Sequence, residues 1–353
     1  MTVSRLKDRP IKGHMFFIEK CPVCTETRFK QYRQYFDSYL VKCENCQLVF
    51  MNPRPPKDWI DAYYRNSSIH DQTVADNKWF GSPQERLLEF KYPKSFKRYN
   101  SAIIDDIQTY VKPGNILDIG CSMGTLLRLA RDRGWMVSGL EPAEEVAAYT
   151  SKAYDLVVYT SDLCRLHLES DSYDCITMIH VLEHLTDLKL YLTEAYRLLK
   201  QDGILYIRVP NLNSFKYKLV GQYYFFHVPE HLTWFSLNSL GYLLEKHKFK
   251  MIENHTSCYS NDPYFYFGII KQLNLDSLLF NVLGYDSKQW KEEDNGNIGD
   301  KRTYTKPKSK MYGYIDKITK FLNFFWPNYS ITLVGMGDEL IVIAQKSAGG
   351  ETN

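Results

Sequence analysis

The chain has 353 residues, 44% of them hydrophobic and 24% charged, with 44 Lys and Arg against 41 Asp and Glu. That length and balance fit a folded chain of about two domains and exclude a disordered or fibrous one. A net charge of +3 is too small to argue for a nucleic-acid partner by itself.

In chain order, the opening MTVSRLKDRPIKGHMFFIEK lacks the apolar core of a secretory signal, so the expected compartment is the cytoplasm. Cys21, Cys24, Cys43 and Cys46 follow, reading C-x2-C-x18-C-x2-C, the spacing of a four-thiolate zinc site. Each C-x2-C pair can turn tightly and aim two sulfurs at one ion. Thr25 to Lys42 is long enough for a hairpin that returns the second pair. A shell of four cysteines has no open position, so zinc here is expected to hold a fold rather than do chemistry. Two disulfides are the alternative, and they need an oxidising compartment that nothing in the chain marks. The other cysteines, Cys121, Cys164, Cys175 and Cys258, are scattered and read as reduced thiols in or near a core. The zinc-ribbon-like module, residues 1–56, closes at MNPRPP, where three prolines in four positions make a stiff exit.

Residues 57–111 read as a helical linker or lid, with helices at Trp59–Tyr64 and Gln84–Tyr110, the longer one broken or kinked at Pro93. From Asn115 short apolar runs alternate with helical stretches. Strands are predicted at Ile116–Ile119, Met136–Leu140, Leu156–Tyr159, Cys175–Ile179 and Ile204–Val209. Helices are predicted at Thr125–Arg133, Ala143–Ala153 and Asp187–Lys200, the last ending at Asp202-Gly203. Ser236 is placed to cap a helix running through Lys246. This alternation predicts an α/β fold over residues 112–260, a Rossmann-like, mostly parallel sheet with helices on both faces. A strand is expected near Met251–His255, then a helical and basic insertion over 261–333, a candidate substrate lid. Glu339–Ala344 closes the chain as a strand, within a last segment 334–353. No apolar run reaches membrane-spanning length. Tyr264–Leu283 comes nearest, interrupted by Lys271, Gln272, Asn274 and Asp276.

The cofactor signal lies at the first strand-to-helix turn, Ile116-Leu-Asp118-Ile-Gly120-Cys-Ser-Met-Gly124. Ligands of open α/β sheets bind at the carboxyl ends of the strands near the switch point. Glycine there lets the backbone turn tightly and approach a ligand. Glu141 follows Gly120 by 21 residues, at the end of the second strand, where an acid can accept both hydroxyls of a ribose. Two cofactors compete for this layout. A dinucleotide wants G-x-G-x-x-G, but Ser122 stands at the second glycine position, which weakens the case for a pyrophosphate. S-adenosylmethionine has a ribose and no pyrophosphate, and Gly120, Gly124, Glu141 and the Asp162-Leu163 pair can supply its needs.

These residues carry a resemblance. The segment Asn115 to Val209 resembles the class I S-adenosylmethionine-dependent methyltransferases. LDIGCSMG is similar to their first motif, SGLEP to their ribose-binding turn, DSYDCITMIHVLEHL to their fourth-strand motif and QDGILYIRVPN to their fifth strand. GDELIVIAQK resembles the closing strand of the same sheet. The resemblance implies seven strands with the last antiparallel. It also implies Asp118 and Gly120 under the methionine part, Glu141 on the ribose, and Asp162 with Leu163 beside the adenine. With its cysteine module in front, the chain also resembles the sugar C-methyltransferases of deoxysugar pathways, departing from them in that no full second α/β domain is expected at its C-terminus. More loosely, it resembles zinc-module methyltransferases of polysaccharide or natural-product pathways.

Methyl transfer from a sulfonium needs an aligned nucleophile and, where required, a base. Histidine is the usual base near neutral pH. Two clusters offer one. His180-Val-Leu-Glu183-His184 lies just past the fourth strand, where His180 can reach substrate or cofactor while Glu183 and His184 fix the loop. Its H-x-x-E-H spacing is also that of some zinc proteases, but no third ligand is evident and the cofactor loop would go unexplained. His227-Val-Pro-Glu230-His231 lies in a loop after the fifth strand, and its structural alternative is a loop histidine bonded to backbone. By resemblance, Glu230 and His231 are the paired acid and base, and Tyr63 and Tyr64 correspond to an N-terminal tyrosine of that site. Lys301, Arg302, Lys306, Lys308 and Lys310 are either a solvated loop or a contact for phosphates of a nucleotide sugar, lipid carrier or RNA. The apolar Tyr314–Trp326 is a lid, a dimer contact or a peripheral membrane helix. The expected function is transfer of methyl from S-adenosylmethionine to a small molecule, a sugar or glycan-pathway intermediate. The alternatives are O-methylation of a quinone-like or polyketide acceptor and methylation of RNA through the zinc module.

Overall fold

The computed structural model describes residues 15–35, 38–65, 94–221, 230–258 and 335–347. The expectations for His227, for residues 84–93, and for the insertion with its lysine cluster and Tyr314–Trp326 lie outside the described residues.

Two sheets organise the chain. The smaller has the order β1-β2-β3-β9 and is antiparallel throughout, with β1 Phe29–Tyr35, β2 Ser38–Cys43, β3 Val49–Met51 and β9 Thr233–Trp234. The hairpin of β1 and β2 is the one that brings the second cysteine pair back to the first. The larger sheet has seven strands in the order β10-β11-β8-β7-β4-β5-β6. These are β4 Asn115–Ile119, β5 Met136–Leu140, β6 Val157–Tyr159, β7 Tyr173–Ile179, β8 Leu199–Pro210, β10 Phe249–Ser257 and β11 Glu339–Lys346. The ladders from β8 across to β6 are parallel, and β11 runs antiparallel between β8 and β10.

Alternation along the strands sorts their side chains to two faces. Leu117, Ile119, Ile176, Met178, Leu205, Ile207 and Val342 share one core with Leu192 and Ala195 of α5 Leu188–Leu198 and with Leu240, Leu243 and Leu244 of α7 Leu237–Lys246. Ile116, Cys175, Ile204, Tyr206, Ile341 and Ile343 share the other with Ile103, Ile104 and Ile107 of α2 Lys94–Ile107 and with Leu126 and Ala130 of α3 Thr125–Arg131. Each fully buried Leu or Ile contributes about 1.5–3 kcal/mol of transfer free energy. The remaining helices are α1 Lys57–Arg65, α4 Glu144–Tyr154 and α6 Phe215–Val220. Ser236 caps α7 as expected, with a reciprocal bond from Ser239. Most boundaries shift by one or two residues from the expected ones, and the largest difference is that α5 ends at Leu198 while β8 begins at Leu199 and runs through Asp202-Gly203. The register slips between Tyr173 and Cys175, so the expected turn is absorbed as a bulge within the ladder. No helix among the described residues is long and apolar enough to cross a membrane.

Candidate active site

In the large sheet the chain moves outward from β4 through β5 to β6, then returns to the other side of β4 with β7 and β8. That reversal opens a crevice beyond the carboxyl ends of β4, β5 and β7, the place where such sheets bind ligands. A cavity of about 380 Å³ lies there, lined by Gly120, Glu141, Asp162, His180 and His184. Its volume is that of a small-molecule site. Helix α1 forms a further wall with Lys57, Ile60, Asp61, Tyr64 and Arg65, residues spaced to share one helical face.

The glycine loop is shaped as its sequence suggests. The Gly120 and Cys121 amides donate to the Leu140 carbonyl at 2.7 and 3.0 Å, and a Cβ on Gly120 would stand 2.6 Å from Val181. Gly124, with φ +69°, opens α3 as its N-cap residue. It faces Thr150 and Leu156 and is not among the residues that line the cavity. Glu141 accepts from the Ser122 amide at 3.0 Å with Oε2 and from the Ala143 amide at 2.9 Å with Oε1. Burial raises its pKa. Asp118 lies beneath the loop, 4% exposed, accepting from Thr177 Oγ1 at 2.6 Å. Burial pushes its carboxyl up to about 7, against the opposing pull of that hydrogen bond. Asp162 is on the cavity, 3.7 Å from both Arg65 and Arg165. Leu163, 1% exposed, is in the core behind it.

The histidines divide sharply. His180 lines the cavity with both ring nitrogens engaged by carboxylates: Nδ1 is 3.1 Å from Glu183 Oε1 and Nε2 is 2.7 Å from Glu339 Oε1. Burial alone would lower its pKa, but the two carboxylates outweigh burial and hold it at about 9. A ring so held is a cation at neutral pH. Glu339 is itself 1% exposed and also accepts from Tyr99 at 2.8 Å, from Ser257 at 2.6 Å and from Arg208. Burial opposes its charge, yet Arg208 and His180 keep its carboxyl well below the usual range. His184, also on the cavity, is pushed down by burial. Its Nδ1 sits 2.6 Å from the Tyr64 hydroxyl and 3.2 Å from the Glu230 carbonyl. His231 is 4% exposed and lies behind His184, ring centroids 4.5 Å apart, outside the cavity lining. Glu230 is half-buried, and burial pushes its carboxyl up to about 7. His184, expected to fix the loop, lines the cavity, and Glu339 is not among the expected site residues. The only trace of Glu339 is an acid at the head of an otherwise apolar strand.

The four cysteines converge in the small sheet. Cys21 Sγ lies 3.5 Å from Cys46 Sγ, and Cys24 Sγ lies 3.5 Å from Cys43 Sγ. Thiolates at about 2.3 Å from a tetrahedral ion stand roughly 3.8 Å apart, so the sulfurs are close to metal spacing.

A family model described as "Methyltransferase domain" matches residues 94–254. The chain is 30% identical over 162 residues to a "Ubiquinone biosynthesis O-methyltransferase" of Pelagibacter ubique, covering 43% of this chain and 68% of that protein. The chain belongs to the S-adenosylmethionine-dependent methyltransferases. It is also 29% identical to a "Probable S-adenosylmethionine-dependent methyltransferase" of Mycolicibacterium smegmatis, over 29% of this chain and 40% of that protein, so it spans less than half of this second relative. A solved S-adenosylmethionine-dependent methyltransferase of Archaeoglobus fulgidus aligns with a TM-score of 0.45 and 20% identity, over 74% of this chain and 99% of that one. The enzyme carries its glycine loop, Glu141, His180 and His184 within the matched region. The cysteines and α1 precede it.

Proposed function

We propose that the enzyme methylates a small molecule held in the cavity between α1 and the carboxyl edge of the sheet. The first acceptor to test is a sugar or glycan-pathway intermediate. The observation that carries the reading is a single cavity lined both by Gly120, Glu141 and Asp162 and by His180, His184 and Tyr64. S-adenosylmethionine brings a methyl group already activated on a sulfonium. Gly120 gives it close backbone approach, Glu141 offers carboxylate oxygens to a ribose, and Asp162 stands at the adenine end with Leu163 behind it. Asp118 and Gly124 support the loop from below.

The acceptor is activated at the paired imidazoles of His184 and His231, with Glu230 beside them. His184 meets the acceptor and His231 backs it, whereas the expectation from the sequence puts the base on His231 and has His184 fix the loop. His180, with both nitrogens taken, orients the loop instead of accepting a proton. A zinc ion on Cys21, Cys24, Cys43 and Cys46 holds the small sheet. The sugar reading rests on the cysteine module preceding this fold. The O-methylation reading draws on a different observation, the relatives named for ubiquinone biosynthesis. Incubating the full chain with labelled S-adenosylmethionine and a panel of nucleotide sugars, quinols and RNA separates the readings. Label is expected on a nucleotide sugar or a phenolic hydroxyl. Label on RNA alone would overturn the small-molecule reading.

A further inference from the structure

Behind the cavity wall, three ligand-bearing side chains from two segments converge. One ligand atom each from Glu183, His184 and His231 lies within 4.8 Å of the others. The two segments are tied by backbone, with the Leu232 amide donating to the Glu183 carbonyl at 2.8 Å. Glu183 is 1% exposed. Its Oε1 is engaged by His180 at 3.1 Å, while its Oε2 is buried and accepts no hydrogen bond. His180 already engages one oxygen; the other, buried and unsatisfied, is costly, and a bound metal ion would satisfy it. The neighbours that ligand orientation requires are already in place: the Tyr64 hydroxyl and the Glu230 carbonyl fix the His184 ring, and His180 fixes the Glu183 carboxylate. Outer partners of this kind orient metal ligands.

We infer that Glu183, His184 and His231 form a second metal site, for a divalent transition ion of the zinc class, distinct from the four cysteines. Two imidazoles and one carboxylate suit such ions better than magnesium or calcium. Three protein ligands leave a position open, and His184 places the site against the acceptor cavity. The inference rests on the proposed methyl-transfer site and deepens it: the histidine pair acts through a cation that polarises the acceptor's oxygen.

The test uses the full chain with zinc on its cysteines, titrated with Co²⁺ and assayed for metal per chain and for visible cobalt bands. The parent is expected to hold two equivalents, the added cobalt showing nitrogen and oxygen ligation rather than thiolate charge transfer. Glu183→Gln and His231→Gln should each fall to one equivalent, and if one variant does not fold the other carries the test. A parent that holds one equivalent at saturating Co²⁺ while binding S-adenosylmethionine overturns the inference and leaves the proposed function standing. A second equivalent that survives both variants overturns it too, because the ion then lies elsewhere. A parent with two metals that methylates no acceptor in the panel fails the proposed function instead.

Discussion

At the scale of single residues, two carboxylates around the glycine loop have different fates. Glu141 holds the Ser122 and Ala143 amides and keeps an edge on the cavity. Glu141→Ala is expected to weaken S-adenosylmethionine by about 1.5–3 kcal/mol, the worth of charge-assisted hydrogen bonds. Calorimetry returning equal affinities would remove Glu141 from the ribose. Asp118 has no such exposure, and its pKa near 7 in the fold compares with about 3.9 in an unfolded chain. The folded state therefore binds more protons between those values. Its stability should fall as pH rises from about 4 to about 7 and level off above. The size is on the order of 4 kcal/mol, since each pKa unit is worth about 1.4 kcal/mol. Asp118→Asn should remove that slope, because an amide can still accept from Thr177. Chemical denaturation of both proteins at pH 5 and pH 8 checks it. A parent–variant difference that is the same at both values would mean the carboxyl is already ionised in the fold.

At the scale of elements, the pairing of β3 with β9 matters most for the site. Val49 pairs with Trp234 and Phe50 with Thr233, and the Met51 amide donates to the Leu232 carbonyl at 2.9 Å. The strand next to His231 is thus the fourth strand of the cysteine sheet. Phe50, Cys43 and Cys46 share one core cluster with Leu182 and Phe235. Loss of one sulfur should travel along this ladder. In Cys43→Ser, amide exchange of residues 231–234 is expected to speed up by at least about tenfold, equal to ~1.4 kcal/mol of local stability, while β4 and β5 stay protected. Faster exchange confined to residues 21–46 would show that the cysteine sheet does not hold the histidine segment.

At the scale of the whole molecule, the cavity is a product of distant segments. Tyr64 and His184 are 120 residues apart, and His180 and Glu339 are 159 apart. The closing strand β11 therefore does more than complete the sheet. Through Glu339 it reaches α2 at Tyr99, β8 at Arg208, β10 at Ser257 and the cavity at His180. A buried carboxylate shared by that many donors is stabilised as a network, and removing any one partner exposes the others' desolvation cost.

Local chemistry was enough to read much of this from residues alone. The C-x2-C pairs, the βα alternation and the Gly120–Glu141 spacing depend on neighbours within a turn or one βα unit, so they are legible in order along the chain. The capping of α7 by Ser236 follows from cap chemistry in the same way, whereas the seven strands with the last antiparallel are implied by the family resemblance of the motifs and not by periodicity. What the sequence could not decide is which histidine faces the ligand. His180, His184 and His231 differ little as residues in a string. Only the long-range ladders, β3 to β9 and β11 to β8, set one ring between two carboxylates, one against the cavity and one behind it. Charge state and access are properties of that packing, because burial and partners, not residue type, fix an imidazole's proton and its reach.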